Sequence, residues 1–588
     1  MARLLITPGT RDMTVPPRSA APPRSAGLRW GLLLVAGWLG QAGLRAWFGR
    51  MQVVPLANPD ETAYLIAARV LAGGPGADLS GSTLYPGGYP LLITPVYWFT
   101  SNPVTVYHAV LMINAAISAA VLPLGYLACR RLGLDRPAAY GVAMVAGLVP
   151  AGFFYSEYAM TDAVFPVLVL AWLLAVHSWL TASSVRGRYA AAAGSALLAG
   201  YAYAVHSRGL VILAGYAAVG AFIAWRRPVA RGSVAAAALT ALVTVGAGWT
   251  LNRYLASAIY PDGARSLSDQ LATRLASVYG AIHVSEMAAG QLWRLVLDSW
   301  GIAGIGLVAA AAVVARRGIR ADLRIMAGLS VAVSAGIACT APAALPPDQS
   351  QTWASGRYLD GMVIVFFLAG AVVLLRADIR PILGCAACVA GLFVVAALTV
   401  AIYAGSSLPT AGFGSGFNFA EPAVLTQDWT QASVPVATAV TLGLLACWVA
   451  FTLAVRRWRA VVLAFGACVA AVSLVAVAQM TSHVSRAATA AAQAVNVPVS
   501  ASGVRPGERV AVASDLGWQA WVPLAYQVSW TELTFFNPAS QPPPAGVTVA
   551  EMPWPAGQPA QASWPHAPAG WRVVASSRDG GWVAWRGP

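Results

Sequence analysis

The sequence predicts an all-α polytopic membrane protein with a small C-terminal extracytoplasmic α/β domain. Two observations carry this fold class. Of the 588 residues, 58% are hydrophobic and only 10% are charged, with a mean hydropathy of +0.65, which is too apolar for a soluble multidomain protein. Apolar runs of about 18 to 25 residues alternate with short charged loops, and they stop near residue 485.

Each apolar run is long enough to cross the hydrocarbon core as a helix. The segment before the first run is rich in Arg, Pro and Ser and has no signal-peptidase-like site, so we expect residues 1–27 to be a disordered cytoplasmic tail. About thirteen spans follow, at residues 28–48, 104–128, 137–155, 161–182, 189–205, 209–225, 232–256, 292–315, 325–343, 358–375, 381–404, 434–455 and 460–480.

The charged residues predict the orientation of these spans. More than half of the 37 basic residues, all of them Arg, lie in the tail and in alternate loops, where only four of the 22 acidic residues are found, namely Asp12, Asp135, Asp322 and Asp378. The positive-inside rule therefore places the N-terminus in the cytoplasm and the C-terminus outside a bacterial inner membrane. The same spread of the +15 net charge over many loops argues against nucleic acid as a partner.

Three segments are expected to lie outside the bilayer. Two interrupt the transmembrane domain of residues 28–484, at about 49–103 and 257–291, and the third is the C-terminal domain of residues 485–588. In this domain, strands are predicted at 508–514, 528–536, 571–576 and 582–585, and a helix at 517–526. Its many Trp residues are typical of a small core or a membrane interface, and stacking on sugar rings is the alternative.

Asp60 and Glu61 form the most informative pair in the chain. They follow Asn58-Pro59 at the start of an amphipathic stretch in the first outer loop. One interpretation is a helix cap, because acids in a first turn complement the helix dipole. The other is a catalytic site, because a chain this poor in acids places two together beside the membrane.

Three further clusters fall on the same predicted face. Glu157 and Asp162 occupy the turn between the third and fourth spans, where ionisable groups are costly unless they meet a wet cavity. Arg208, beside His206, lies in an outer turn too short to need a solvated charge, and Arg357 enters the tenth span from outside. Arg suits phosphate through its planar fork of donors. Structural ion pairs with the same carboxylates are the alternative. Arg253 and Arg274 are weaker phosphate candidates, and Arg294 with Asp298 at i, i+4 reads as a structural pair.

The motifs together resemble the GT-C glycosyltransferases. The first span is followed by D-E and a helix, then by Y-P-G-G-Y-P-L-L from Tyr85, and then by S-E-x-x-M-T-D ending at Asp162. H-S-R-G-L and G-R-Y-L, around Arg208 and Arg357, are also similar to segments of actinobacterial members. The nearest branch comprises protein O-mannosyltransferases, aminoarabinose transferases and related polyprenyl-phosphate-sugar enzymes, and the resemblance covers most of the chain.

The resemblance implies an inverting transferase at the outer membrane face. Asp60 would deprotonate an acceptor hydroxyl, which attacks the anomeric carbon of a polyprenyl-phosphate sugar. Glu61, Glu157, Asp162 and Tyr85 would position the acceptor or the sugar, and the site residues Arg208, Arg357 and His206 would neutralise the phosphate. The acceptor would be a cell-envelope glycan, lipid or protein, and the sugar arabinofuranose or mannose.

Two questions stay open at the level of sequence. No cofactor is required by this chemistry, yet some GT-C enzymes use a divalent cation (Mg, Mn or Ca), which Asp60, Glu157 and Asp162 could bind. A transporter or lipid flippase has the same hydrophobic profile, but transporters tend to place charges at mid-bilayer and to contain internal repeats.

Overall fold

The computed structural model describes most of the chain. The described residues are 24–57, 59–226, 230–345, 352–404, 417–431, 433–455, 459–490, 502–505, 507–517 and 532–588. The expected tail up to residue 23, Asn58 and the expected helix beyond Gly517 lie outside these ranges.

The described chain up to Ala490 consists of helices and the loops that connect them. In order they are α1 Arg24–Gly49, α2 Asp60–Leu71, α3 Gly88–Ile93, α4 Pro103–Ser118, α5 Val121–Arg131, α6 Arg136–Ala146, α7 Pro150–Phe153, α8 Phe165–Thr181, α9 Val185–Val205, α10 Gly209–Arg226, α11 Arg231–Ile259, α12 Leu267–Leu275, α13 Val278–Leu297, α14 Ile302–Ala315, α15 Ala321–Ala343, α16 Asp360–Arg376, α17 Ile379–Ala404, α18 Ala420–Thr426, α19 Val434–Val455 and α20 Arg459–Met480.

The protein crosses a membrane several times. Within the described ranges, seven helices are long and apolar enough to cross a bilayer, or up to nine if each of two bent pairs is one span. They coincide with the spans predicted from the sequence, which confirms a polytopic helical membrane protein. The count of about thirteen stays a prediction.

Two predicted spans differ in shape from the straight helices expected. Residues 137–155 bend by 73° between α6 and α7. Residues 292–315 are not one straight helix, because α13 and α14 meet at a bend of 116°. Trp300 and Gly301 both have left-handed backbone angles at this bend, with φ of 56° and 88°. Hydropathy is averaged over a window that includes the bend, so the two helices were predicted as one span.

Charged loops that the sequence places on one side of the membrane do meet at one end of the bundle. Arg376, the last residue of α16, donates to the carbonyl of Gly133, just after α5, at 2.9 Å. Asp322 in α15 lies 3.5 Å from His177 in α8. These contacts agree with the predicted alternation of the loops.

The C-terminal region contains a mixed five-stranded sheet. The strands are β1 Arg509–Ala513, β2 Glu532–Phe536, β3 Val547–Pro553, β4 Arg572–Ser577 and β5 Trp582–Arg586, in the order β2-β1-β3-β5-β4. Strands β1, β2 and β3 are parallel, and β5 pairs antiparallel with both β3 and β4. The four predicted strands are found, whereas the central strand β3 was missed because it follows a Pro-rich stretch.

Helix α2 joins the sheet domain to the bundle. Ala63, Ile66 and Val70 pack in one core with the sheet, while Tyr64 and Leu65 belong to the core of the bundle. The helix is therefore buried on both sides. The sequence suggests an amphipathic helix in an outer loop, so this expectation is corrected. This packing fixes Asp60, its first residue, between two layers.

Candidate functional site

A cavity of about 1170 Å³ lies at the end of the bundle that packs near the sheet domain. It is bordered by the loop between α2 and α3. Its walls come from the start of α2, from the loop before α3, and from short segments between the long helices. Asp162 and Arg357 lie on single 3-10 turns, Thr161–Ala163 and Gly356–Tyr358. Such turns are short enough to hold a charged side chain at the boundary of the bundle without extending it into the lipid.

Asp60 is the most accessible carboxylate of the cavity. Its side chain is 27% exposed, and its Oδ2 accepts a hydrogen bond from Nη1 of Arg357 at 2.8 Å. Its Oδ1 accepts one from the hydroxyl of Tyr85 at 2.7 Å. Burial and the Asp60 charge raise the pKa of Tyr85 well above its usual value, so this hydroxyl stays a donor. The carboxylate is thus oriented by two neighbours and open on one side.

Arg208 ties the other half of the site together. Its Nη2 donates to Oδ1 of Asp162 at 2.8 Å, and its Nη1 donates to the carbonyl of Arg357 at 2.7 Å. Although burial opposes ionisation, the guanidinium of Arg208, with Arg357, lowers the pKa of Asp162. Arg208 and Arg357 are therefore linked with Asp60 and Asp162 in one charged network.

His206 lines the cavity beside this network. Its Nδ1 accepts hydrogen bonds from the backbone N–H and from Nε of Arg208, at 3.1 and 3.3 Å. Burial and the charge of Arg208 lower the pKa of His206 well below its usual value. The imidazole is therefore neutral and orients Arg208.

Glu61 lies next to Asp60 in sequence but outside the cavity. Its carboxylate accepts four hydrogen bonds, from the backbone N–H groups of Leu56 and Ala57 and of Ala159, and from the hydroxyl of Tyr107, at 2.6 to 2.7 Å. Both acids lie in the first turn of α2, where negative charge complements the helix dipole, but the N-cap residue is Pro59 and no side-chain cap hydrogen bond is made. Glu61 instead fixes the chain that leads into α2.

Glu157 is also buried away from the cavity. It accepts hydrogen bonds from Nε2 of Gln52 and from the hydroxyls of Thr481 and Ser485, at 2.9, 2.7 and 3.2 Å. Thr481 and Ser485 belong to a π-helical turn, Thr481–Arg486, which continues α20. The carboxylate thus holds a rare backbone conformation of the kind that is common near functional sites.

The sequence-predicted residues therefore divide into two groups. Asp60, Tyr85, Asp162, His206, Arg208 and Arg357 all line the cavity. Glu61 and Glu157 support its walls. Asp60, Glu157 and Asp162 do not converge as a ligand set, and no group of three or more His, Cys, Asp or Glu among the described residues is placed to hold a metal ion.

The weaker phosphate candidates lie elsewhere. Arg274 donates to the carbonyl of Leu345 at 2.6 Å and so fastens α12 to the end of α15. Arg253 is exposed on α11 and places its guanidinium over Trp249 at 5.3 Å. Neither residue lines the cavity.

A second charged cluster lies deeper in the bundle. Arg294 is ion-paired with Asp298 at 3.0 Å and with Glu421, which the sequence reading missed. All three side chains are at most 1% exposed. A Cβ added to Gly356 would lie 2.3 Å from Nη2 of Arg294, so the turn that carries Arg357 packs directly on this cluster.

Two further parts of the cavity wall were not expected. Apolar residues come from the start of α10 and the end of α15, including Leu210, Val211 and Leu345. Another part consists of Phe417, Asn418, Trp429 and His483, with Val484 and Ala488. Only the folded structure reveals this second set, because its members come from separate turns with no motif.

The fold is shared with known structures. The chain matches no protein-family model, and no curated protein is significantly similar to it. The crystal structure of ArnT from Cupriavidus metallidurans bound to undecaprenyl phosphate aligns over 95% of this chain and 97% of that chain, with 16% identity and a TM-score of 0.56. The apo structure of the same protein aligns over 95% and 98%, with 17% identity and a TM-score of 0.54.

A third structure, the arabinosyltransferase EmbB from Mycobacterium smegmatis, aligns over 84% of this chain and 43% of that chain, with 14% identity and a TM-score of 0.39. The two ArnT structures match nearly end to end, from the bundle through the sheet domain. The chain therefore has the ArnT fold, and the GT-C fold expected from its motifs is confirmed.

Proposed function

We propose that this protein is an inverting glycosyltransferase that moves a sugar from a polyprenyl-phosphate donor to a hydroxyl group. One observation carries the proposal. A half-exposed carboxylate, Asp60, is joined to Arg357 at the surface of a large cavity. A base and a phosphate-binding cation side by side are what a displacement at a sugar phosphate needs.

The cavity also suits a lipid-linked donor. Its apolar wall is built from the ends of α10 and α15, both of which are candidate membrane spans. A prenyl chain lying between these helices would bring its phosphate to Arg208 and Arg357. The structural relative ArnT was crystallised with undecaprenyl phosphate, and this supports the same donor class here.

The charges of the site agree with an anionic ligand. Three arginines line the cavity, Arg208, Arg265 and Arg357, against the two carboxylates of Asp60 and Asp162. The guanidinium charges of the lining therefore exceed its carboxylate charges by one. A phosphodiester carries one negative charge and would balance the site when it binds.

The reaction follows from these positions. Asp60 takes the proton of the acceptor hydroxyl, and the acceptor oxygen forms a bond to the anomeric carbon while the bond from that carbon to the phosphate oxygen breaks. The leaving polyprenyl phosphate gains negative charge, which Arg357 and Arg208 stabilise. Tyr85 holds Asp60, and Asp162 with His206 holds Arg208.

The location and substrates are part of the same proposal. The site lies at the end of the bundle opposite the Arg-rich loops, so the positive-inside rule puts it at the outer face of a bacterial inner membrane. The acceptor is a cell-envelope glycan, lipid or protein, and arabinofuranose and mannose are the first donor sugars to test.

The test uses the purified full-length protein in lipid nanodiscs with synthetic polyprenyl-phosphate arabinofuranose and polyprenyl-phosphate mannose. The wild type is expected to release free polyprenyl phosphate in the presence of an acceptor, which a transporter or flippase does not do. Asp60→Asn keeps the size of the side chain and its contact with Arg357, and we expect it to lower this release by about 10²- to 10⁴-fold.

Asp262→Asn is the matched control, because Asp262 is exposed in an outer turn and does not line the cavity. It should behave as wild type. Donor binding, measured separately with radiolabelled lipid, should survive in Asp60→Asn. Full transfer by Asp60→Asn would refute the assignment of the base.

A further inference from the structure

The unexpected wall of the cavity has the composition of a sugar-binding surface. The rings of Trp429 and His483 stack with centroids 4.5 Å apart and planes 11° from parallel. His483 is exposed and Trp429 half-buried, and both line the cavity. Stacked rings of this kind offer a flat apolar face to the C–H groups of a sugar ring.

Asn418 adds an unused polar group to this surface. It is only 6% exposed, and its Oδ1 has no hydrogen-bond partner among the described residues. A buried carbonyl oxygen without a partner costs free energy, and this one lies in the cavity lining. An amide beside aromatic rings is a common arrangement for recognising sugar hydroxyls, because it can accept and donate hydrogen bonds.

This surface adjoins the proposed base. The ring of Phe417, the residue before Asn418, lies 5.1 Å from the guanidinium carbon of Arg357. Arg357 in turn holds Asp60. Phe417 and Arg357 therefore connect Asn418 to the proposed base.

The backbone around the surface is held in unusual conformations. Gln427, two residues before Trp429, has a left-handed φ of 54°, which is uncommon for a residue other than glycine. Its side chain is tied to Gln479 of α20 at 3.1 Å. His483 lies on the π-helical turn that Glu157 holds. Strain of this kind persists where the surrounding structure maintains it, often at binding sites.

We infer that Asn418, Trp429 and His483 form the acceptor subsite, and that the acceptor presents an uncharged sugar residue to it. This inference rests on the proposed transferase function. Phe417, Asn418, Trp429, His483, Val484 and Ala488 include no carboxylate and no guanidinium. A phosphorylated or carboxylated acceptor group would lose its hydration here without a guanidinium of the surface to replace it, since the neighbouring Arg357 is already paired with Asp60.

Glu157 has a positioning role in this arrangement. It touches no part of the cavity, yet its carboxylate fixes the turn that carries His483. Loss of the carboxylate should displace the ring and weaken acceptor binding. Gln at this position can still accept one hydrogen bond, so it should restore part of the affinity that Ala loses.

The experiment compares wild type, Asn418→Ala and Trp429→Ala in nanodiscs, with octyl mannoside as an uncharged acceptor probe and its 6-phosphate as the anionic probe. We expect each variant to raise KM for octyl mannoside about 5- to 10-fold, the loss of one hydrogen bond or ring contact. The maximal rate and the KM for the donor should stay unchanged. Wild type should prefer the uncharged probe.

Gln431→Ala is the matched control, because Gln431 is an exposed amide close to Trp429 that does not line the cavity. An unchanged acceptor KM in both subsite variants, or a rise in donor KM instead, overturns the inference. So does a preference for the phosphorylated probe. If the acceptor KM rises equally in Glu157→Ala and Glu157→Gln, Glu157 does not position His483 through its hydrogen bonds.

The acceptor subsite can also be tested if the proposed transferase function fails. If wild type turns over none of the donors, equilibrium binding of radiolabelled octyl mannoside still tests the subsite. Binding by wild type that is weakened in Asn418→Ala and intact in Gln431→Ala supports it, and equal binding by all three refutes it.

Discussion

The protein contains two clusters of arginines and carboxylates that look alike in composition and differ in surroundings. The outer cluster joins Arg357 to Asp60 and Arg208 to Asp162 at a cavity, with the Asp60 side chain 27% exposed. The inner cluster joins Arg294 to Asp298 and Glu421, all at most 1% exposed. Access, and not the type of residue, separates the two clusters, because Asp60 of the outer cluster is open to a ligand whereas the carboxylates of the inner cluster are not.

The two clusters are also neighbours. The 3-10 turn Gly356–Tyr358 passes between them, with Gly356 against Arg294 and the carbonyl of Arg357 bonded to Arg208. The absence of a side chain at Gly356 lets the turn approach the inner cluster this closely. The inner cluster therefore provides a fixed support for the outer one.

The largest effect should come from breaking the inner cluster. Arg294→Met removes the only cation paired with Asp298 and Glu421 in the described structure, and leaves two buried carboxylates without compensation. We expect a loss of about 3 to 5 kcal/mol in the free energy of unfolding. Denaturant titration of the detergent-solubilised protein measures it.

Arg253→Met serves as control for that variant, since Arg253 is exposed on α11. It should unfold like wild type. A wild-type unfolding curve for Arg294→Met would mean that the inner cluster has no structural role.

A smaller effect, and one of a different kind, is expected for the outer cluster. In the proposed reaction Arg357 faces the leaving phosphate, so Arg357→Gln should lower kcat/KM for polyprenyl phosphate release about 100-fold. Unfolding should change little, because the Arg357 side chain is 13% exposed and the Asp60 side chain left behind can be hydrated.

Arg253→Gln is the control here, and it should retain the wild-type rate. If Arg357→Gln were as destabilising as Arg294→Met but kept its activity, the distinction between the two clusters would be wrong.

The smallest effect concerns a buried carboxylate that has no cation paired with it among the residues that the structure describes. Glu551 in the sheet domain is 0% exposed, and neither of its oxygens has a hydrogen-bond partner among the described residues. Burial raises the pKa of Glu551 from 4.5 to about 8. The folded state thus keeps its proton where the unfolded chain loses it, so stability falls as the pH rises between these two values.

The slope is at most about 1.4 kcal/mol per pH unit. Glu551→Gln should remove this dependence and protect β3 most clearly near pH 8. Hydrogen exchange of the β3 peptide in the full-length protein, compared at pH 6 and pH 8 after correction for the intrinsic rate, measures the change. The same pH response in variant and wild type would show that Glu551 does not titrate in this range.

The sequence anticipated much of the site because charge is rare in this chain. With only 10% charged residues, an acid or Arg beside a span had few ordinary explanations, and Asp60, Asp162, Arg208 and Arg357 were found on that ground. The same argument also selected Glu61 and Glu157, which the fold turns away from the cavity. Adjacent residues on a helix point in different directions, and a pattern of letters does not give the direction.

The uncharged residues of the proposed acceptor subsite could not be found from the rarity of charge. Asn418, Trp429 and His483 belong to types that are common in loops and at membrane interfaces, so nothing marked them in the sequence. Glu421 was missed for a related reason, because its partner Arg294 lies 127 positions away and one sequence contains no record of distant contacts.

The sequence by itself determined that this is a helical membrane protein with a C-terminal sheet domain, and it predicts which face of the bundle carries most of the acids. Hydropathy and charge act locally along the chain, so both can be read without a fold. Only the tertiary structure decided which charges share a cavity and which support it. That choice depends on packing between distant segments, where a few ångströms separate a solvated carboxylate from a buried one.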